Sequence, residues 1–422
     1  MTVSTSRDRW DVVVIGGGPS GMMAAGRAAE LGASVLLLEK NKTLGKKLLI
    51  TGGGRCNVTN AELDNKKLLA KFKDGGKFLA SPFASWSVAE TLDFFHTRNM
   101  PTKEEALQRV FPLSNTAQSV WDTLVEYLRL GNVTVRSGAS VTKIHVSDST
   151  IASVELRGGE MIHAHSFIIA TGGTSHPETG STGDGYTWLR ELGHTVAEPT
   201  ASLVPIATKN PERTIRAAGV ALPEAKITLY QNDVRQAQSV GKVLFTHVGL
   251  SGPGILNMSR DIGELLKYGE VVIELDFIPS TGYEKVDATL QEALKTHSNK
   301  KIRNALTAII PPALIPVVLE YAHIDSEMQC NSITRTARVA LMKTLKHFRL
   351  EVDHLLGTDK AIITSGGVAL TEIDFKTMRS LKYSNLYLVG DILNIDRPSG
   401  GYSLQLCWTT GFVAGSSAAS LT

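Results

Sequence analysis

The chain has 422 residues, 42% hydrophobic and 20% charged, with 44 Lys and Arg against 41 Asp and Glu for a net charge of +3. Single hydrophobic cores stop growing beyond ~250–300 residues, so two or three domains are expected. No apolar run approaches the ~18 residues that span a bilayer, which argues against a membrane role. The weak positive charge neither requires nor excludes a polyanionic partner.

The opening MTVSTSRDRW lacks a signal-peptide core and reads as a tail. Asp11–Ile15 (DVVVI) is a β-branched run bounded by glycine and predicts a buried parallel strand. Gly16, Gly18 and Gly21 then take the GxGxxG spacing, with Pro19 and Ser20 inside it, and the following MMAAGRAAELGA predicts a helix ended by Gly32. In such a motif Gly16 permits the tight turn, Gly18 lets the backbone approach a pyrophosphate, and Gly21 allows close helix–strand packing. The helix start adds N–H donors and a positive dipole end. Val35–Leu38 predicts a second strand, and Glu39 at its tip is placed to accept hydrogen bonds from the adenosine ribose. Glycine turns alone are common. Strand, glycine turn, helix, strand and acid in that order predict a dinucleotide site.

Residues 40–60 (KNKTLGKKLLITGGGRCNVTN) are basic, glycine-rich and aperiodic, which suits a loop laid along a phosphate-bearing, ring-containing ligand. Lys40, Lys47, Gly54, Arg55, Cys56 and Asn57 are its candidate contacts, and Val141 joins them from further along. Arg55, Cys56 and Asn57 either face the ring or merely fix the loop; Arg55 is the candidate for an anionic substrate or a pyrimidine edge. Phe167–Gly173 (FIIATGG) predicts a buried strand whose terminal Thr171 and Gly172 pack on the cofactor. His176 is too isolated to suggest a metal, and no metal site is expected; Asp184 is expected to cap a helix.

After 198 the doubly wound pattern stops. Val204–Ala207, Lys226–Tyr230, Val243–Phe245 and Val271–Phe277 predict short strands of an antiparallel sheet or small barrel, and from Glu284 the composition turns helical. His247, in THVGLSGPG, is a candidate proton donor or carbonyl-polarising group, with a structural histidine as the alternative. Leu386–Gly390 (LYLVG) predicts another strand with Asp391 at its carboxyl end, where ligands of open α/β sheets bind. Gly400, Gly401 and Tyr402 stand at the start of a helix, whose dipole can favour negative charge on a bound ring. Cys407 falls inside that helix and reads as core. Cys56, Cys330 and Cys407 form no CxxC pair, which points to a reducing, cytoplasmic setting without a dithiol centre. Lysines 66, 67, 71, 73 and 77, and the cluster Lys300, Lys301 and Arg303, read as solvated surface with a nucleic-acid contact as the alternative. The expected fold is α/β: a doubly wound, Rossmann-like cofactor domain from 1–198 and 358–422. Into it are inserted a β-rich, barrel-like lobe over 199–280, completed by 347–357, and a helical subdomain over 281–346.

TGGGRCNVTN at Thr51–Asn60, RVFPLSN at Arg109–Asn115, ATGGTSHPETGSTGDGY at Ala170–Tyr186, LFTHVGLSGPG at Leu244–Gly254 and the C-terminal LYLVGDILNIDRPSGGYSLQ carry a resemblance over essentially the whole chain. The sequence resembles the bacterial flavoproteins known as NAD(FAD)-utilizing dehydrogenases. It departs from their pattern at Asp391 and Arg397, where glutamate and glycine are expected. Asp391, an acid directly after a strand, is placed to bind the ribityl hydroxyls of a flavin, with a helix-capping aspartate as the alternative; the resemblance implies noncovalent FAD and reductive chemistry on an activated C=C bond of a small molecule or of a uridine in ribosomal RNA. NAD(P)H would be a transient donor, since no second glycine motif exists to hold it. A flavin oxidase acting on a small amine with oxygen, and a flavin-binding sensor without turnover, are the alternative expectations.

Overall fold

The computed structural model describes residues 9–357 and 359–420. The expected N-terminal tail up to Asp8 and Thr358, the expected first residue of the returning cofactor domain, lie outside the described residues. The chain divides into two compact units, Met1–Ala201 with Ile362–Thr422, and Ser202–Ala361. The junctions thus fall at 201/202 and 361/362, where the sequence reading has 198/199 and 357/358.

The first unit is built on a five-stranded parallel sheet in the order Leu386–Leu388, Ala164–Ile169, Trp10–Ile15, Val35–Glu39 and Thr134–Ser137. Its central strands are apolar on both faces: Val12, Val13, Val14, Leu36, Leu37, Phe167, Ile168, Leu386 and Leu388 have no exposed surface. Such continuous hydrophobic runs are what a parallel sheet covered on both sides requires. The connection from Thr134–Ser137 to Ala164–Ile169 is a meander of three antiparallel strands, Val141–Ser147, Thr150–Leu156 and Met161–Ile162, rather than a helix. The C-terminal helix Tyr402–Ala419 lies against helix Pro19–Glu30. Gly411 and Gly415 permit this, because a Cβ there would stand 2.5 Å from Ser20 O and 2.4 Å from Ala24 O. A small three-stranded sheet joins Thr59–Asn60, Arg109–Pro112 and Thr102–Glu105.

The second unit is a closed six-stranded barrel of Ile206–Thr208, Gly249–Ser251, Val234–Phe245, Ala221–Gln231, Val271–Asp276 and Phe348–Leu355. Its longest hairpin turns at Asn232-Asp233, both with positive φ, as a tight hairpin demands. The last helix ends at Lys346, and Phe348 opens the strand that closes the barrel, within the segment 347–357 expected to complete the lobe. The helices over 281–346 do not form a core of their own: Leu290, Leu341 and Leu345 share one buried cluster with Phe245 and Phe348 of the barrel strands and with Phe277, which directly follows one. Among the described residues, no helix is long and apolar enough to cross a membrane.

Candidate functional site

A cavity of about 860 Å³, counting its open mouth, lies in the first unit at the carboxyl ends of the parallel strands. Gly16, Gly18, Pro19, Ser20, Glu39, Lys40, Lys47, Val141, Thr171, Gly172 and Asp391 all line it. The glycine turn is sterically fixed: Gly16 has φ +108, and a Cβ on Gly21 would stand 1.9 Å from Gly16 O. A Cβ on Gly18 would meet nothing within 4 Å, so its backbone is open where a ligand must come close. Pro19 occupies the first turn of helix Pro19–Glu30, where its missing N–H costs nothing.

Glu39 is buried, and its carboxylate is held by neutral donors. Oε2 accepts from the Gly17 N–H at 2.8 Å; Oε1 accepts from the Asn41 N–H at 2.7 Å and from Asn41 Nδ2 at 2.8 Å. Asn41 also donates to Thr179 O at 3.0 Å, and Lys40 Nζ reaches Thr182 Oγ1 at 2.5 Å and Asp184 Oδ2 at 2.7 Å. The segment Thr179–Thr182, which forms part of the cavity wall, is therefore clasped to the tip of the second strand. Asp184 is not the helix cap: Gly183 holds that position, and Asp184 sits in the first turn as the partner of Lys40. Burial pushes its carboxyl up, and Lys40 and Thr182 bring it below the ordinary range.

At the strand end beyond Leu388, Asp391 is held by cations. Arg397, whose side chain has no exposed surface, bonds Oδ1, and Lys47 Nζ stands 3.4 Å from Oδ2. Arg397 also donates to Ser403 Oγ at 3.0 Å and to Ile395 O at 2.8 Å, which ties the loop before the C-terminal helix to the cavity wall. Burial raises the Asp391 carboxyl, but Arg397 and Lys47 outweigh it and hold the group below its usual value. Gly390, with φ +71, packs on Ser20.

The remaining candidates are placed elsewhere. Gly54 lies in the Thr51–Gly54 turn, outside the cavity wall, and Asn57 Oδ1 is buried without a partner. Cys56 does not face the cavity: it is fully buried in the core, and burial pushes its thiol up to about 12. Arg55 is not free to meet an anion, because it pairs with Glu105, donates to Asn115 Oδ1 at 2.8 Å and stacks 4.1 Å over the Phe111 ring. Gly401, with φ +103, starts the C-terminal helix so close to Thr59 that a Cβ would stand 2.2 Å from its carbonyl carbon. Gly400 O accepts from Asn60 Nδ2 at 3.1 Å, and Tyr402 is buried edge-on against Phe72. His247 belongs to the barrel unit, where it is exposed in the turn between Val234–Phe245 and Gly249–Ser251.

Asn41 and Cys407 are site residues that sequence reading misses or leaves in the core, and Arg397, noted there only as a departure from the family pattern, is the buried partner of Asp391. Asn41 had no signal. Arg397 had one, as a lone cation in an apolar, glycine-rich segment. Cys407 forms part of the cavity wall while remaining buried, and burial raises its thiol to about 12.

The family profile described as the HI0933-like protein Rossmann domain matches residues 10–417. The chain belongs to the HI0933-like family. The family is one of flavin-dependent oxidoreductases. Relatives of this HI0933-like protein include a 3-dehydro-bile acid delta(4,6)-reductase of Clostridium scindens, 32% identical over 96% of this chain and 98% of that protein. A ribosomal RNA dihydrouridine synthase of Escherichia coli is 30% identical over 96% of this chain and 97% of that protein. In fold, the chain is similar to a 3-ketosteroid-Δ4-(5α)-dehydrogenase of Rhodococcus jostii RHA1, with TM-score 0.55 and 15% identity, covering 99% of this chain and 98% of that one. A flavocytochrome c3 fumarate reductase gives TM-score 0.55 at 16% identity, covering 99% of this chain and 80% of that one.

The residues present fit a dinucleotide. The open backbone at Gly18, the helix start at Pro19, the acid at the second strand tip and Lys47 on the wall supply the donors, dipole and charge that a pyrophosphate and a ribose require.

Proposed function

We propose that this protein binds FAD noncovalently and uses a reduced nicotinamide to reduce a C=C bond conjugated to a carbonyl. The observation that carries the reading is the cavity wall itself, in which the glycine turn, Glu39, Lys47 and Asp391 line one continuous space, with Arg397 buried against Asp391. Bound FAD supplies a two-electron carrier between the nicotinamide, which is oxidised, and the substrate double bond, which gains a hydride and a proton. The chain's own residues bind and orient. Gly16–Gly21 and the helix start receive the pyrophosphate, Glu39 the adenosine ribose, and Asp391 the ribityl chain.

The names of the relatives in Clostridium scindens and Escherichia coli support a conjugated C=C acceptor, in a small cyclic ketone or in a uridine. The test is anaerobic mixing of the purified yellow protein with NADH or NADPH, followed by a cyclic enone, a uridine-containing transcript or oxygen. Bleaching by a nicotinamide and reoxidation by a C=C acceptor is the expected result. Efficient reoxidation by oxygen alone indicates an oxidase; no reduction by either nicotinamide indicates a flavin-binding protein without this turnover.

A further inference from the structure

Three charged side chains meet at the carboxyl end of strand Leu386–Leu388, and they do not cancel. Arg397 pairs with Asp391 through Oδ1, and Lys47 stands 3.4 Å from Oδ2. One acid between two cations leaves one positive charge in excess. The two cations are held differently. Arg397 has no exposed side-chain surface, and it also donates to Ile395 O at 2.8 Å and to Ser403 Oγ at 3.0 Å. Lys47 is 21% exposed, lines the cavity and reaches Ser175 Oγ at 3.2 Å. Arg397 is therefore the resident partner of the acid, and the Lys47 ammonium is the charge presented to the cavity.

The field of this cluster reaches the wall. Cys407 lines the same cavity; burial raises its thiol, Asp391 raises it further, and Arg397 and Lys47 lower it. Of the other charges on the wall, Lys46 is exposed to solvent, Lys40 is paired with Asp184, and Glu39 is held by N–H groups. The wall is thus negative at the tip of the second strand and positive beside Asp391. Ser403, which Arg397 holds, lies in the first turn of helix Tyr402–Ala419, so the positive end of that helix adds to the same side.

A flavin that takes up two electrons and one proton gains one negative charge, and fixed charge beside it sets how readily it does so. We propose that Arg397 is a positioning residue which, by serving as the counter-ion of Asp391, leaves the Lys47 charge uncompensated, so that the site holds reduced flavin more tightly than oxidised flavin. This rests on the FAD reading above.

The experiment measures the two-electron midpoint potential of the FAD-loaded protein against a reference dye, with xanthine and xanthine oxidase as a reductant that needs neither nicotinamide nor substrate. Lys47→Met and Arg397→Met each make the cluster neutral. A unit charge acting over ~10 Å at an effective dielectric constant of ~20 changes an equilibrium on the order of tenfold. Both variants should therefore lose about tenfold of the preference for reduced flavin, which for a two-electron couple is a potential about 30 mV lower. Asp391→Asn leaves two positive charges and should raise the potential by a similar step. Arg397→Met combined with Asp391→Asn restores a single excess charge and should return the wild-type value, as should Lys47→Arg, which keeps the charge. A packing defect moves these variants in one direction and does not produce this order of signs. Equal or same-direction shifts in Lys47→Met and Asp391→Asn, or loss of FAD from both, overturn the proposal and leave the FAD reading standing. A wild type that neither carries nor takes up FAD overturns both. The expected order of signs in a protein that no nicotinamide reduces supports the proposal and overturns the reductase reading alone.

Discussion

Glu39 and Asp391 are both buried acids on one cavity wall, yet they are held by opposite means. Glu39 is satisfied by two backbone N–H groups and one amide, all within a few residues of the second strand tip or in the glycine turn. Asp391 is satisfied by two cations, Lys47 and Arg397, of which Lys47 is far away in sequence. The first arrangement stabilises a charge with dipoles and leaves the local net charge negative. The second leaves one excess positive charge buried beside the acid. A single partner can thus be removed from Glu39 cheaply, but not from Asp391.

The largest effect should follow from Arg397→Met. Breaking a buried pair by deleting one partner costs about 3–5 kcal/mol, with the loss here tempered by Lys47, which still stands 3.4 Å from Asp391. The pH dependence should flatten as well. In the wild type the Asp391 carboxyl lies below its unfolded value, so its stabilisation is present above ~3.9 and is lost as pH falls through the lowered value. In the variant, burial is opposed by Lys47 alone, so the carboxyl is held less far below its unfolded value. Stability should then fall less in the variant than in the wild type as pH is lowered from ~7 toward ~3. Thermal melts across that range check this, and Asp391→Asn combined with Arg397→Met should recover most of the loss. A wild-type-like melt at pH 7 in Arg397→Met would break the comparison.

The same contrast governs what could be read from the sequence. The Glu39 side was legible because it is local: a strand, a glycine turn and an acid have fixed chemistry at fixed spacing, and the structure brings Gly16, Gly18, Ser20 and Glu39 to one cavity. The Asp391 side was half legible. Its strand was visible in LYLVG, but the partnership with Lys47 and Arg397 depends on tertiary packing that no spacing encodes. For Arg55 and Cys56 the sequence left two readings open, a contact with the ring or a part in fixing the loop, for a related reason. A glycine-rich, basic loop says that a ligand or a tight turn is near, but not which side chains turn inward. Arg55 found Glu105 and Phe111, and Cys56 entered the core. In the barrel unit, Gly249–Ser251 escaped because a three-residue strand with glycine has no alternation to detect, whereas the closing strand Phe348–Leu355 falls within the 347–357 segment expected to complete the lobe.

A smaller effect is expected from Glu39→Gln. The amide keeps the volume and one acceptor, so the fold should persist, but the charge-assisted bonds to the Gly17 and Asn41 N–H groups weaken. Hydrogen bonds to charged groups contribute about 1.5–3 kcal/mol. The Kd for FAD, measured by recovery of flavin fluorescence on dilution, should rise on the order of tenfold to a hundredfold. An unchanged Kd would mean that Glu39 serves only the strand tip and the clasp of Asn41 to Thr179.

The smallest expected signal is the one that distinguishes cavity wall from core most finely, and it comes from the cysteines. All three are buried and free. Burial raises the thiols of Cys56 and Cys407 to about 12, although Thr51 beside the first and Ser20 beside the second act in the other direction. At pH 8 the thiolate fraction of such a group is on the order of a thousandfold below that of an ordinary cysteine near 8.5, so a disulfide reagent should label neither in the holoprotein. Removing FAD should separate them. Cys407 belongs to the cavity wall and should become the first thiol to react, whereas Cys56, enclosed by the core, should stay silent until the protein unfolds. Mass mapping of the labelled peptide decides the order. If Cys56 reacts first, the glycine-rich Thr51–Gly54 turn opens more readily than the cavity empties, and the loop rather than the Asp391 cluster is then the weaker side of the site.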